Sequence, residues 1–250
     1  MAEAIYDLLR WCLGLVFEAL FGSPFLSDAT ERLVRWIGRS RACRRVLAPV
    51  LSAFFPPAFR KTGTAFIHIP KNAGTAMNFA LYGRSFGHMT ASFLRDVDAR
   101  AWQAAQSAAI LRDPADRTVS AWFHVIAGGA TEVRLHPRWR RRLRNIGSFD
   151  SYLDFLEAHR GRLDRLEFVC RPQSHFVCDE AGRVIVKNIF LLGRDDARIA
   201  AFAAAHGQHP LTRRNWTAKK PIELTDRQRA RIADLYADDF RLIDALKKSF

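Results

Sequence analysis

The sequence predicts an α/β protein built on a central parallel sheet flanked by helices, with a helical extension on its N-terminal side. Three observations carry this expectation. Two short apolar runs, AFIHI from residue 65 and AAILR from residue 108, have the length of buried strands, and each leads into a helix-compatible segment, so strand and helix alternate as parallel pairing requires. A chain of 250 residues with 49% hydrophobic and 12% aromatic content can enclose one sizeable core. The paired prolines of PPAF at 56–59 resist helix and mark a connection. They divide a basic helical stretch, residues 1–60, from a main domain, residues 61–250.

The elements follow in order. WCLGLVF at 11–17 is the most apolar run near the start, but Asp7, Arg10 and Glu18 bound it too closely for a membrane span. It reads as a helix with one packed face. ERLVRWIGRSRACRR at 31–45 adds six arginines and one acid, which makes peripheral contact with an anionic membrane through residues 1–45 a second reading. After AFIHI comes a loop, then the helix TAMNFALY; after AAILR comes the helix DPADRTVSAWFHVIAG. RLHPRWRRRLR at 134–144, with six arginines and no apolar stripe, predicts an exposed loop or lid, solvated or anion-binding. FDSYLDFLEAH predicts an amphipathic helix, HFVCDEAGRVIV a hairpin, DDARIAAFAAAHG a helix closed by Gly207, and TDRQ a capping box that opens a last helix running through Lys248.

Charge and cysteine usage narrow the partners. Lys and Arg number 39 against 25 Asp and Glu, a surplus of +14 that favours anionic ligands without choosing among them. Cys12, Cys43, Cys170 and Cys178 form no CxxC pair and have no histidine at metal-ligand spacing, so the expectation is four reduced thiols, no metal and a cytoplasmic protein.

The loop TAFIHIPKNAGTAM at 64–77 carries the chemistry. A strand that gives way to Pro, Lys, Gly and Thr at a helix start makes an anion cradle: Gly74 permits close backbone approach, the helix start presents unpaired N–H groups, Thr75 adds a hydroxyl and Lys71 a full charge. The nucleoside triphosphate loop needs Gly-Lys-Ser/Thr, which occurs nowhere in the chain, and no GxGxxG follows a strand.

The order IPKNAGTAM resembles instead the 5′-phosphosulfate loop of carbohydrate sulfotransferases that use 3′-phosphoadenosine 5′-phosphosulfate (PAPS), the family of the heparan-sulfate 2-O- and 6-O-sulfotransferases and their bacterial relatives. LRDPADRTVSAWFHV at 111–125 resembles the family's 3′-phosphate segment, and the likeness runs over about residues 64–244. It implies a P-loop-NTPase-like sulfotransferase fold and sulfuryl transfer to a carbohydrate or glycolipid hydroxyl, with no metal and no specific nucleic acid.

Residue roles follow from the resemblance and from the chemistry together. Lys71, Asn72, Ala73, Gly74, Thr75 and Ala76 are expected to hold the 5′ side. Arg112, which can bond a phosphate in bidentate fashion, is expected with Ser120 on the 3′ side. Arg213 and Arg214, in TRRNWTAKKP, resemble the segment that closes over the nucleotide. His88, in FGHMTASFL, resembles the histidine that takes the acceptor's proton, and Lys71 is the cation for the leaving phosphate. His124, Arg138 and the glutamine of RPQSHFV, Gln173, are placed by the acceptor. Asn72 and Ala76 stand where the family often has threonine and serine, which puts one hydroxyl contact in doubt and leaves the backbone donors intact. His68 reads as a packed residue beside the loop. The competing readings are a nucleotide or small-molecule kinase, and a non-catalytic binder of anionic polymers or membranes that uses the arginine clusters.

Overall fold

The computed structural model describes residues 46, 48, 51–129, 135, 137–212 and 222–248, with residue 138 described in its backbone only. Residues 1–45, with their apolar run and arginine cluster, lie outside the described residues, as do Arg213 and Arg214.

Among the described residues three parallel strands form the sheet, in the order β1 (Thr64–Ile67), β2 (Gln106–Leu111), β3 (Asn188–Leu191). Ile67 pairs with Ala109, and Leu111 with Leu191. Strands buried on both sides read as continuous apolar runs, and side chains alternate between the faces. Ala65, Ile67, Ala109, Leu111 and Ile189 enter one apolar cluster, while Phe66, Ala108, Ile110 and Phe190 enter another.

Helices cover both faces. The first cluster is completed by α1 (Pro57–Thr62), α3 (Ala91–Val97) and α4 (Ala99–Ala104), through Phe59, Leu94 and Trp102 among others. The second is completed by α2 (Gly74–Tyr82) and by α9 (Asp196–His206), through Met77, Leu81, Ile199 and Ala203. A third cluster lies among α5 (Pro114–Ile126), α6 (Pro137–Arg142), α7 (Phe149–Glu157) and α10 (Asp226–Leu235), with Tyr152, Leu153 and Ile232 fully buried. The result is a mixed α/β fold with a small parallel sheet between helices.

Several local details differ from the sequence expectation. Leu51 and Phe55 are buried in the first cluster with Phe59, so the packed unit begins before residue 60. The arginine-rich stretch does have an apolar stripe: Leu135, Trp139 and Leu143 are spaced four residues apart and buried, while Arg140, Arg141, Arg142 and Arg144 stay exposed. The hairpin reduces to one antiparallel bridge between Cys178 and Val184, after the short helix α8 (Ser174–Val177). The last helix is two, α10 and α11 (Ala237–Lys248), although the capping box of Thr225 and Gln228 is present as expected. No helix among the described residues is long and apolar enough to cross a membrane.

Candidate functional site

Because β1 and β2 are adjacent and parallel, the turns at their carboxyl ends lie side by side, the usual position for a ligand crevice in an open α/β sheet. The β1 turn is strained. Lys71 and Ala73 have φ of 71° and 59°, the left-handed region that costs a residue with a Cβ about 1–2 kcal/mol. Strain of this kind persists only where surrounding bonds enforce it, and it concentrates at functional sites.

Those bonds can be named. The Asn72 side chain is buried and turned inward, where Nδ2 donates to Ile110 O at 2.8 Å and to Gln173 Oε1 at 2.6 Å. Arg117, also buried, donates from Nε to Pro70 O at 3.2 Å. Gly74 opens α2 with its α-carbon against His68; a Cβ there would lie 2.0 Å from His68 Cδ2. The loop is thus anchored on three sides, and Asn72 serves the anchoring rather than offering a hydroxyl to a ligand. His68 is buried beside the loop, where burial lowers its pKa to about 4.

The β2 turn explains the order of RDP. Asp113 caps α5, with Oδ1 accepting from Ala115 N at 2.9 Å and Asp116 N at 3.0 Å, and Pro114 fills the first helical position. Asp113 is therefore occupied by backbone. The Arg112 guanidinium has loose contacts: Nη1 lies 3.4 Å from Lys71 O, and Nη2 lies 3.9 Å from the exposed carboxylate of Asp116. Ser120 is buried two turns along α5.

The two turns make a cation-rich edge. Burial lowers the pKa of Lys71, and the nearby Arg112 and Arg117 lower it further against the pull of Glu167. No salt bridge among the described residues includes Lys71. An anion placed here would relieve repulsion between like charges, so the donor set fits an anionic ligand.

His88 is bonded to the chain just past β1. Its Nδ1 is 2.8 Å from His68 O, and since a carbonyl only accepts, Nδ1 carries the hydrogen and Nε2 keeps its lone pair. Burial, then the neighbouring His68, holds the pKa well below the ordinary value, so the ring is neutral at pH 7. The His88 and His68 rings are 4.3 Å apart, and Phe168 packs on His88 at 5.2 Å. A neutral, tautomer-fixed imidazole with Nε2 unprotonated can accept a proton.

The other expected residues fall out differently. His124 is half-buried at the last turn of α5, close enough to His88 to depress its pKa slightly. Gln173 is fully buried: Nε2 donates to Arg112 O at 2.8 Å, and Oε1 accepts from Arg112 N at 2.9 Å and from Asn72. It is a strut between the turns. Two buried residues that sequence reasoning did not select stand beside the site. Glu167 accepts from Val169 N at 2.7 Å, and Arg171 donates to Leu166 O at 2.8 Å while lying 4.3 Å over Phe168. The only sequence signal for them is charge inside the apolar run RLEFVCR. Among the described residues no group of His, Cys, Asp and Glu could hold a metal ion.

No protein-family model matches the chain, and neither a curated protein nor a solved structure matches it.

Proposed function

We propose that the chain transfers the sulfuryl group of PAPS to a hydroxyl of a carbohydrate or glycoconjugate. One observation supports this most: two cation-bearing turns, Lys71–Thr75 and Arg112, sit at neighbouring strand ends with Arg112 Nη1 3.4 Å from Lys71 O. A ligand with two anionic groups suits that pair better than a single phosphate does. The motifs IPKNAGTAM and LRDPADRTVSAWFHV add their resemblance to the 5′ and 3′ segments of PAPS enzymes.

The donor supplies the sulfuryl group and an anionic leaving phosphate. Lys71 and the amide groups at the start of α2 hold the 5′ side and balance the charge that develops on the leaving oxygen. Arg112 holds the 3′-phosphate, with Ser120 behind it. The acceptor's proton passes to His88 Nε2, whose reactive tautomer is fixed by the bond from Nδ1–H to His68 O. The base is neutral before it acts, so no prior deprotonation is needed at pH 7.

Calorimetry with adenosine 3′,5′-bisphosphate, AMP and magnesium-ATP tests the reading. Tighter binding of the bisphosphate is expected. Equal affinities for the bisphosphate and AMP would remove the 3′-phosphate assignment, and a preference for magnesium-ATP would favour a kinase. Labelled PAPS offered to a panel of sugar and glycolipid acceptors then identifies the hydroxyl.

A further inference from the structure

The turn after β1 and the turn after β2 touch directly, through Asn72 Nδ2 to Ile110 O and Arg112 Nη1 to Lys71 O, and both are also held by one side chain from a distant part of the sequence. Gln173 Oε1 accepts from Asn72 Nδ2 at 2.6 Å and from Arg112 N at 2.9 Å, while Nε2 donates to Arg112 O at 2.8 Å. Its carboxamide thus grips Arg112 from both sides and Asn72 from one. The backbone of Gln173 is fixed in turn by Asp239 of α11, whose carboxylate accepts from Gln173 N and Ser174 N, each at 2.8 Å. Gln173 and Asp239 are 0% and 1% exposed, so water does not compete for these bonds.

We infer that Gln173 sets the separation between the two anion subsites and thereby determines selectivity for a 3′,5′-bisphosphate over either monophosphate; this rests on the function proposed above. The reason is geometric. A ligand that engages two subsites gains from the second only if the span between them matches its own, whereas a ligand that engages one is indifferent to the span. Asn72 leads directly into the 5′ cradle, and Arg112 is itself the 3′ contact. Releasing Gln173 leaves Asn72 bonded to Ile110 O but frees the Arg112 backbone, which Gln173 grips at both N and O, to drift from the β1 turn without removing any group that touches the ligand. Gln173 is a positioning residue, and Asp239 holds it in register.

The test is calorimetry of wild type, Gln173→Leu and Asn72→Ala with adenosine 3′,5′-bisphosphate, AMP and adenosine 3′-monophosphate, after thermal melting shows which variants fold. Asn72→Ala cuts the β1 turn from both Gln173 and Ile110 O and removes an Oδ1 with no partner among the described residues, while Gln173 Oε1 stays bonded to Arg112 N. Each variant should lose about tenfold or more in bisphosphate affinity, the scale of one misplaced charge-assisted contact, with a much smaller change for the monophosphates. An equal loss for all three ligands, or a retained ratio in a folded variant, overturns the role of Gln173. If Gln173→Leu does not fold, Asp239→Asn, which loosens the hold on the Gln173 backbone and touches neither turn, decides in its place. A wild type that shows no preference for the bisphosphate sinks the proposed function itself; a wild-type preference kept by the variants sinks only this inference.

Discussion

The imidazole of His68 fills the space in which a side chain at Gly74 would begin, with Cδ2 2.0 Å and Nε2 2.7 Å from an ideal Cβ. The ring cannot swing aside freely. Its Nδ1 lies 3.2 Å from Phe86 O and 3.0 Å from Asn78 Nδ2, and the His88 ring sits 4.3 Å away at a 53° tilt. Gly74→Ala should therefore destabilise the fold by about 1–3 kcal/mol, the usual cost of overpacking. In urea melts, His68→Ala combined with Gly74→Ala should cost less than the two single changes summed, because the clash partner has gone. Strict additivity would mean that the contact carries no strain.

The same pair shows why part of the site is legible in sequence and part is not. Strand, loop and helix around IPKNAGTAM are local: a β-run, a proline, a glycine and a helical run name their own conformations. Asp113 and Pro114 announce the start of α5 in the same way. What joins these pieces is not local. Gln173 lies 101 residues from Asn72 and 61 from Arg112, and Asp239 lies 66 beyond Gln173, so no window of sequence contains the clamp. Trp139 and Leu143 are obscured in the sequence for another reason: the arginines between them hide a stripe that only spacing reveals. β3 is four residues, Asn188 followed by three apolar ones, with no alternation to mark it.

Arg112 should be separable from the fold. Among the described residues its guanidinium makes only the 3.4 Å approach to Lys71 O and the 3.9 Å approach to Asp116, and a partly exposed pair of that kind contributes little to stability. Arg112→Ala should melt within a few degrees of wild type yet lose about 1.5–3 kcal/mol in binding adenosine 3′,5′-bisphosphate, the range for hydrogen bonds to a charged group. Unchanged affinity by calorimetry would leave Arg112 as a partner of Asp116 alone.

Acid should unfold the protein early, and His68 supplies part of the reason. Its folded pKa, about 4, lies below the unfolded value of 6.5, so above pH 6.5 both states are neutral and the group has no effect. Below that the unfolded chain binds the proton first. Stability then falls as pH drops from 6.5 towards 4, by on the order of 3 kcal/mol for this residue. The lowered pKa of His88 adds in the same direction. Urea melts at pH 7 and 4.5 should show a smaller pH dependence in His68→Asn than in wild type; identical slopes would dismiss the contribution.

His88 is the base in the proposed reaction, and its environment dictates a particular pH signature. With Nδ1–H held by His68 O, Nε2 is the only atom free to take a proton. Burial and His68 keep the pKa well under 6.5, so the acid limb of kcat/KM should fall below the position expected for an exposed histidine, and the rate should be flat through neutral pH. His88→Ala should leave adenosine 3′,5′-bisphosphate binding nearly intact, because the ring belongs to neither anion turn. Turnover should drop by about 10²–10⁴, the usual range for a positioned general base, and the acid limb should vanish from the residual activity. Single-turnover sulfuryl transfer between pH 5 and 9, with the acceptor found by screening, measures both quantities. A folded His88→Ala protein that turns over near the wild-type rate would pass the role of base to His124 or to the buried carboxylate of Glu167, whose pKa burial raises.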